Sequence, residues 1–344
     1  MNTELLPVTP EALARAGALI RAGELVAFPT ETVYGLGADA MNADAVRRIF
    51  EAKGRPGDNP LIAHISGVEQ LAPLIAAEPS PTARALMDAC WPGPMTLIFP
   101  KSKAVPEAVT AGLDTVAVRL PSHPAARALI DAAGRPVAAP SANRSGRPSP
   151  TTAGHVWEDM AGRVPLILDG GPCAVGLEST VIDVTGPTPR ILRPGGVTPE
   201  LIERICGAAK VDEVVMRPLR EGERPRSPGM KYRHYAPKGA LTIVKGEAPA
   251  VARRIRALYD AAEAAGERPL ILALQGHLPA YGERRALSLG ADAEAMAHNM
   301  FALLREADEL GAERIFSEAV PDRGLGLAVM NRLGRAAAFK IIEV

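Results

Sequence analysis

Three polar segments concentrate the groups able to do chemistry. They are Pro29-Thr30-Glu31-Thr32-Val33-Tyr34-Gly35-Leu36-Gly37, Lys53-Gly54-Arg55-Pro56 and Ser141-Ala142-Asn143-Arg144-Ser145-Gly146. The first follows the apolar run Leu25-Val26-Ala27-Phe28. Its two threonine hydroxyls and Glu31 therefore stand at a strand end, where open sheets receive ligands. Gly35 and Gly37 read either as turn residues or as places where backbone comes close to a ligand. In the second segment, two permanent cations flank a glycine where a helix is interrupted. Phosphate or carboxylate would suit them, and Arg55 can grip either with two parallel bonds. A solvated charge pair is the plainer alternative. Asp58 and Asn59 follow and offer contacts to a ligand or to a metal-bound water. Ser141, Asn143, Ser145 and Ser149 supply hydroxyls and an amide that can hold a nucleobase, a phosphate, or the Lys53 and Arg55 side chains.

His64 sits at an alternate position of the apolar run Leu61–Ile65. Taken alone, such a histidine is more often structural than functional. Arg119, inside Val116–Leu120, is more telling. A charge in an apolar strand needs a partner, and a substrate carboxylate is one candidate. Gly176-Leu177-Glu178-Ser179-Thr180 and Arg193-Pro194-Gly195-Gly196 add a polar shelf and a further cation. The phosphate-binding GxxxxGK[ST] loop, the GxGxxG fingerprint, the GxSxG elbow and the HExxH motif are all missing from the sequence. Cations without a fixed metal site point to phosphate handling through Arg, Lys and Mg²⁺. The sequence names neither metal ligands nor a general base.

Alternating helical and strand-like stretches must position these groups. Apolar strand runs recur at 25–28, 61–65, 95–99, 116–120, 137–140, 166–169, 180–184 and 190–193. Helical periodicity marks 11–22, 43–52, 82–90, 124–132 and 198–206. This pattern predicts a mixed α/β sheet over residues 1–210. Residues 217–238 carry seven Lys or Arg and two acids, with prolines and no period. They mark a basic linker, bounded here at 211–240. From Leu241 a second strand–helix alternation predicts a smaller open α/β domain over 241–344. Its His277, Asn299 and Arg323 read as unconnected surface groups.

The chain has 344 residues and 39 basic against 39 acidic side chains. Zero net charge gives no global reason to expect a nucleic-acid binder. Three scattered cysteines, Cys90, Cys173 and Cys206, form neither a disulfide framework nor a metal site, which suits a reducing, cytoplasmic setting. The first ten residues do not read as a signal peptide, and no run is long and apolar enough for a membrane span.

The same segments carry a resemblance to the two-domain threonylcarbamoyl-AMP synthases of the YrdC-like family. It rests on FPTETVYGLG at 28–37, KGRP at 53–56, NPLIAHI at 59–65, WPGPMT at 91–96, VAVRLP at 116–121, APSAN at 139–143, GLESTV at 176–181, LRPG at 192–195 and SPGMKYRHYAP at 227–237. The resemblance implies a YrdC-like twisted sheet with a concave cavity and a Rossmann-like C-terminal domain. It implies synthesis of L-threonylcarbamoyladenylate from L-threonine, bicarbonate and ATP, with Mg²⁺, for a partner tRNA threonylcarbamoyl transferase. Direct tRNA contact by this chain is left open. Carried over residue by residue, it puts Thr32, His64, Arg119 and Ser179 on threonine, with Arg119 on its carboxylate. ATP would meet Arg55, Asn59, Thr115, Ala139, Ser141, Asn143, Ser149, Arg193, His234 and Tyr235, Ala139 acting through its backbone. Lys53 and Arg55 would act catalytically, by offsetting phosphate charge. Two rivals remain: an RNA-binding module, and a carbamoyltransferase of hydrogenase maturation, whose zinc-finger and acylphosphatase-like regions this chain lacks.

Overall fold

The computed structural model describes residues 1–217 and 235–344. Its strands are β1 (Glu4–Pro7), β2 (Val26–Phe28), β3 (Gly35–Asp39), β4 (Ile62–His64), β5 (Met95–Pro100), β6 (Thr115–Arg119), β7 (Val137–Ala138), β8 (Leu166–Asp169), β9 (Thr180–Asp183), β10 (Arg190–Arg193), β11 (Lys210–Val211), β12 (Ala240–Lys245), β13 (Pro269–Leu274), β14 (Ala286–Gly290), β15 (Arg314–Glu318) and β16 (Ile341–Glu343). The helices are α1 (Pro10–Arg21), α2 (Ala43–Lys53), α3 (Pro81–Cys90), α4 (Glu107–Thr110), α5 (Pro124–Ala133), α6 (Ala153–Met160), α7 (Pro199–Cys206), α8 (Ala248–Ala264), α9 (Ala293–Glu309) and α10 (Leu325–Ala336). β1, β3, α4, α6, β11 and β16 have no counterpart in the sequence reading. They are short, glycine-containing or at sheet edges, so their periodicity is weak.

The helix ends follow local chemistry. Thr9 caps α1 by accepting from the Ala12 N–H, and Pro10 opens its first turn. Asn42 caps α2 in the same way. At its far end Gly54 takes φ +61°, and the Arg55 N–H returns to the Phe50 carbonyl at 2.9 Å. This left-handed turn lets two successive cations leave the helix end in different directions.

The described residues divide into two compact units. The first holds Met1–Ser145 and Ser149–Val215; the second holds 235–344 with Gly146–Pro148, Met216 and Arg217. In the first, eleven strands form one mixed sheet in the order β1-β8-β2-β3-β7-β4-β6-β5-β9-β10-β11. One face carries the main core, with Leu36, Ala63, Leu97, Val118 and Ile182 buried against α2, α3, α6 and α7. The opposite face is split. Over β8, β2 and β7 it is covered by α1 and α5, through Ile20, Phe28, Leu129, Ile130, Val137 and Leu166. Beyond β7 it carries only a small apolar cluster, Ile62, Ile98, Ala117, Val181 and Leu192.

The expected linker begins as sheet. Lys210 and Val211 pair in parallel with Arg190 and Ile191, and a 3₁₀ turn follows at Glu213–Val215. The second unit is a five-stranded, all-parallel sheet in the order β14-β13-β15-β12-β16. Helix α8 packs through Val251, Ile255 and Tyr259 on Val244, Ile271 and Phe316. The mixed twisted sheet and the smaller open α/β domain are thus as the sequence predicts. Among the described residues no helix is long and apolar enough to cross a membrane.

Candidate active site

The split face of the first sheet assembles the site. Side chains alternate between faces along a strand, so register decides which residues share a side. His64 lies opposite Val137 on one flank and beside Arg119 on the other, and Arg119 lies opposite Thr96. His64, Arg119 and Thr96 therefore share one face. Ser179 joins them, with its Oγ 2.7 Å from Thr96 Oγ1.

Arg193 arrives by a different route. Plain alternation from Ile191, a main-core residue, would send Arg193 into the core. A β-bulge at Leu192 prevents this: Ile191 pairs with Ile182, but Arg193 pairs with Val181. Two residues oppose one, and the guanidinium is re-aimed onto the site face. There its Nε donates to Ser179 O (3.1 Å) and Nη2 to Ser179 Oγ (3.2 Å).

Arg119 is the centre of the cluster. Its Nη1 donates to Thr32 Oγ1 at 2.8 Å, and its Nε to Gly93 O at 3.4 Å. Its Nη2 lies 2.7 Å from Glu31 Oε1, with both side chains at least nine-tenths buried. The expected partner of Arg119 was a substrate carboxylate; in the structure a protein carboxylate already stands beside it. Burial raises the Glu31 carboxyl, but the Arg119 charge and nearby backbone N–H groups outweigh it, and the net shift is downward. His64 is pushed down to about 3, by burial first and by the Arg119 charge second, so it is neutral. Its Nδ1 lies 3.1 Å from Ile62 O.

The glycines of the first segment have a different job from the one their type suggested. Gly35 and Gly37 lie in β3, and a Cβ at Gly37 would meet Val137 Cγ1 at 2.8 Å and the Phe28 ring at 2.9 Å. They make room for Phe28, whose ring stands edge-on to His64 at 6.2 Å. The missing side chains thus fix an imidazole rather than admit a ligand.

Lys53 is buried at the end of α2. Its Nζ donates to the carbonyls of Ser141 and Asn143, the latter at 2.6 Å, while Ser145 N donates back to Lys53 O. Burial, then the Arg55 charge, lowers its pKa well below the usual lysine value. This geometry makes Lys53 a clamp on the 141–145 loop. Ser141 Oγ donates to Asn143 Oδ1 at 2.5 Å, and Ser149 Oγ to Glu178 Oε1 at 2.6 Å. Arg55 stacks over Phe50 at 5.9 Å and reaches Asn59 O at 3.4 Å.

Asn59 is fully buried, yet neither of its side-chain polar atoms has a hydrogen-bond partner. It precedes β4, and Thr115 opens the parallel β6, so both stand at the opposite strand end from His64 and Arg119. Four strand steps separate Thr115 from Arg119, roughly 13 Å. Ala139 donates its N–H to Ile62 O at 2.9 Å, while its methyl lies in the apolar cluster with Phe28. Tyr235 belongs to the second unit, its ring 5.2 Å from Phe301. His234 lies outside the described residues. Thr96 was missed, while Glu31 and Glu178 were noted within their segments but given no role. Thr96 carried a usable signal, a polar residue at an alternate position of an apolar run.

Known proteins match the chain along nearly its whole length. The family model described as "Telomere recombination", built on Sua5, YciO and YrdC, matches residues 18–195. The chain belongs to the Sua5/YciO/YrdC family. A second model, "Threonylcarbamoyl-AMP synthase, C-terminal domain", matches residues 197–338. A threonylcarbamoyl-AMP synthase of Pyrococcus abyssi is 48% identical over 96% of this chain and 95% of its own length. One of Bacillus subtilis is 47% identical over 99% and 97%. The crystal structure of P. abyssi Sua5 complexed with L-threonine superposes with a TM-score of 0.94 at 46% identity, covering 99% of this chain and all of that one. Family membership therefore extends across both units.

Proposed function

We propose that the chain is a nucleotidyltransferase that makes L-threonylcarbamoyladenylate and pyrophosphate from L-threonine, bicarbonate and ATP. Its product would feed a tRNA threonylcarbamoyl transferase in the cytoplasm. The observation that carries this reading is the row His64, Arg119, Thr96, Ser179 and Arg193 on one sheet face, over a small apolar floor. Such a row suits a small zwitterion with a hydroxyl at one end and an anionic nucleotide at the other. The named relatives and the threonine complex of a full-length relative support it.

Threonine would lie at the Thr32, His64, Arg119 and Ser179 end. ATP would lie toward Arg55, Asn59, Thr115, Ala139, Ser141, Asn143, Ser149 and Arg193. In the first step the threonine ammonium and bicarbonate give N-carboxythreonine, water and one proton: a C–N bond forms and a C–OH bond breaks. In the second, a carbamate oxygen attacks the α-phosphorus, the bond to the bridging oxygen breaks, and pyrophosphate leaves. His64 is too weak a base to take the ammonium proton, so the protein's part is positioning and charge stabilisation. Arg193 ties the two ends together through Ser179. Lys53 shapes the 141–145 loop, and Arg55 stands closer to the phosphates. Among the described residues no three His, Cys, Asp or Glu side chains gather as a metal cage. Mg²⁺ would therefore be held mainly by the ATP phosphates, whose charge it offsets.

Pyrophosphate release with ATP, bicarbonate and a panel of amino acids tests the reading. Threonine-dependent release is expected. Release that is indifferent to the amino acid overturns it.

A further inference from the structure

Glu31 is a buried carboxylate at the amino-acid end of the site, and the proposed residue roles leave it without a task. Its side chain is 10% exposed and ionised beside Arg119. Both its oxygens are buried; the Arg119 guanidinium and the backbone N–H groups of Glu31 and Ser122 lie near them, but none is aligned as a full hydrogen-bond donor. A buried carboxylate ordinarily satisfies its lone pairs, because an unmet acceptor of this kind is costly. Here the one close side-chain contact is ionic, to Arg119 at 2.7 Å, and both oxygens keep bonding capacity.

Arg119 shows the complementary pattern. Of its five N–H groups, Nε–H and one on Nη1 make hydrogen bonds, to Gly93 O and Thr32 Oγ1. Its Nη2 faces Glu31 at 2.7 Å without making a hydrogen bond. The pair is thus a buried plus and a buried minus side by side, each with bonding capacity left over. An α-amino acid carries the same two charges on one carbon. If its carboxylate meets Arg119 and its ammonium meets Glu31, the site stays neutral and the unmet groups are satisfied. A ligand with only the carboxylate would add net negative charge next to Glu31.

We propose that Glu31 is the ammonium anchor of the amino-acid site, so that Arg119 and Glu31 read the substrate as a zwitterion. The inference rests on the amino-acid assignment above and names a specificity residue within it. Glu31 stays ionised throughout and takes no proton. Its selectivity is exerted on the incoming amino acid, before the nitrogen loses its charge.

Titration calorimetry on the full chain tests this with two ligands. One is L-threonine; the other is the 2,3-dihydroxybutanoate of matching configuration, with a hydroxyl in place of the amine. The wild-type protein is expected to prefer threonine. In Glu31→Gln, threonine affinity should fall at least tenfold, whereas the hydroxy acid should bind as well as before or better, because Arg119 is no longer neutralised. Glu31→Asp, which keeps the charge, should retain the preference for threonine. Binding of a non-hydrolysable ATP analogue, unchanged in both variants, reports that the fold is intact. Equal losses for the two ligands would make Glu31 a mere support for Arg119 and overturn the proposal, as would unchanged threonine affinity. A wild-type protein that does not bind threonine would instead bring down the amino-acid assignment itself.

Discussion

Two buried carboxylates, one in each unit, stand in opposite circumstances. Glu318 closes β15 in the second unit and accepts from Tyr281 Oη at 2.5 Å and Leu274 N at 2.9 Å, with His277 Nδ1 at 2.9 Å. Glu31 in the first unit has one ionic neighbour and no aligned hydrogen bond. The all-parallel sheet uses its acid to tie a strand end to the following turn. The mixed sheet leaves its acid, and Asn59 as well, with unmet bonding capacity. Buried polar groups are normally satisfied. The comparison therefore teaches where chemistry is to be sought: on the split face of the first sheet, and not at the saturated strand ends of the second.

The sharpest break in that comparison is Arg119→Ala. It removes the carboxylate partner and strands Glu31, so threonine-dependent pyrophosphate release should fall by about 100-fold or more. Urea denaturation should show a loss of about 3–5 kcal/mol, the cost of orphaning one member of a buried pair. Glu318→Ala should do the reverse, lowering stability by about 2–4 kcal/mol through unmet donors while threonine and ATP binding persist. Equal damage to catalysis would erase the contrast between the units.

Asn59→Ala should leave stability within about 1 kcal/mol, since its side chain makes no hydrogen bonds to lose. It should nonetheless raise the KM for ATP about tenfold, as expected for one lost hydrogen bond to substrate. A separate effect concerns acid. His64 binds its proton near pH 6.5 when unfolded but only near 3 in the fold. The unfolded chain therefore takes up more protons between those values, and stability falls as pH drops from about 6.5 toward 3. His64→Gln should flatten this limb of the melting-temperature profile, leaving the carboxylates and His123, whose pKa burial also lowers, to respond.

Much of the first unit was legible because its strands are short apolar runs broken by polar loops. His64 and Arg119 stood out as polar groups inside such runs. What could not be read was register. The pairing of Glu31 with Arg119 spans 88 residues of sequence, and no local pattern announces it. Gly35 and Gly37 were open to being taken for ligand contacts because their service to Phe28 depends on a strand pairing, β2 with β3, that loop-like text conceals. His277 read as isolated because its partner lies 41 residues away. The Lys53 clamp was foreshadowed only as one option among several for the serine-rich loop.

The bulge at Leu192 makes β10 a strand whose pairing matters more than its spelling. Leu192 can be exchanged for another apolar residue with little effect on where its neighbour points. Deleting it would leave Ile191 opposite Ile182 and Arg193 opposite Val181 in an even ladder, with the guanidinium still on the site face, whereas a slip that paired Leu192 with Val181 would turn Arg193 toward the core. In inheritance this stretch can therefore absorb the loss of the Leu192 codon more readily than a slip of pairing by one residue.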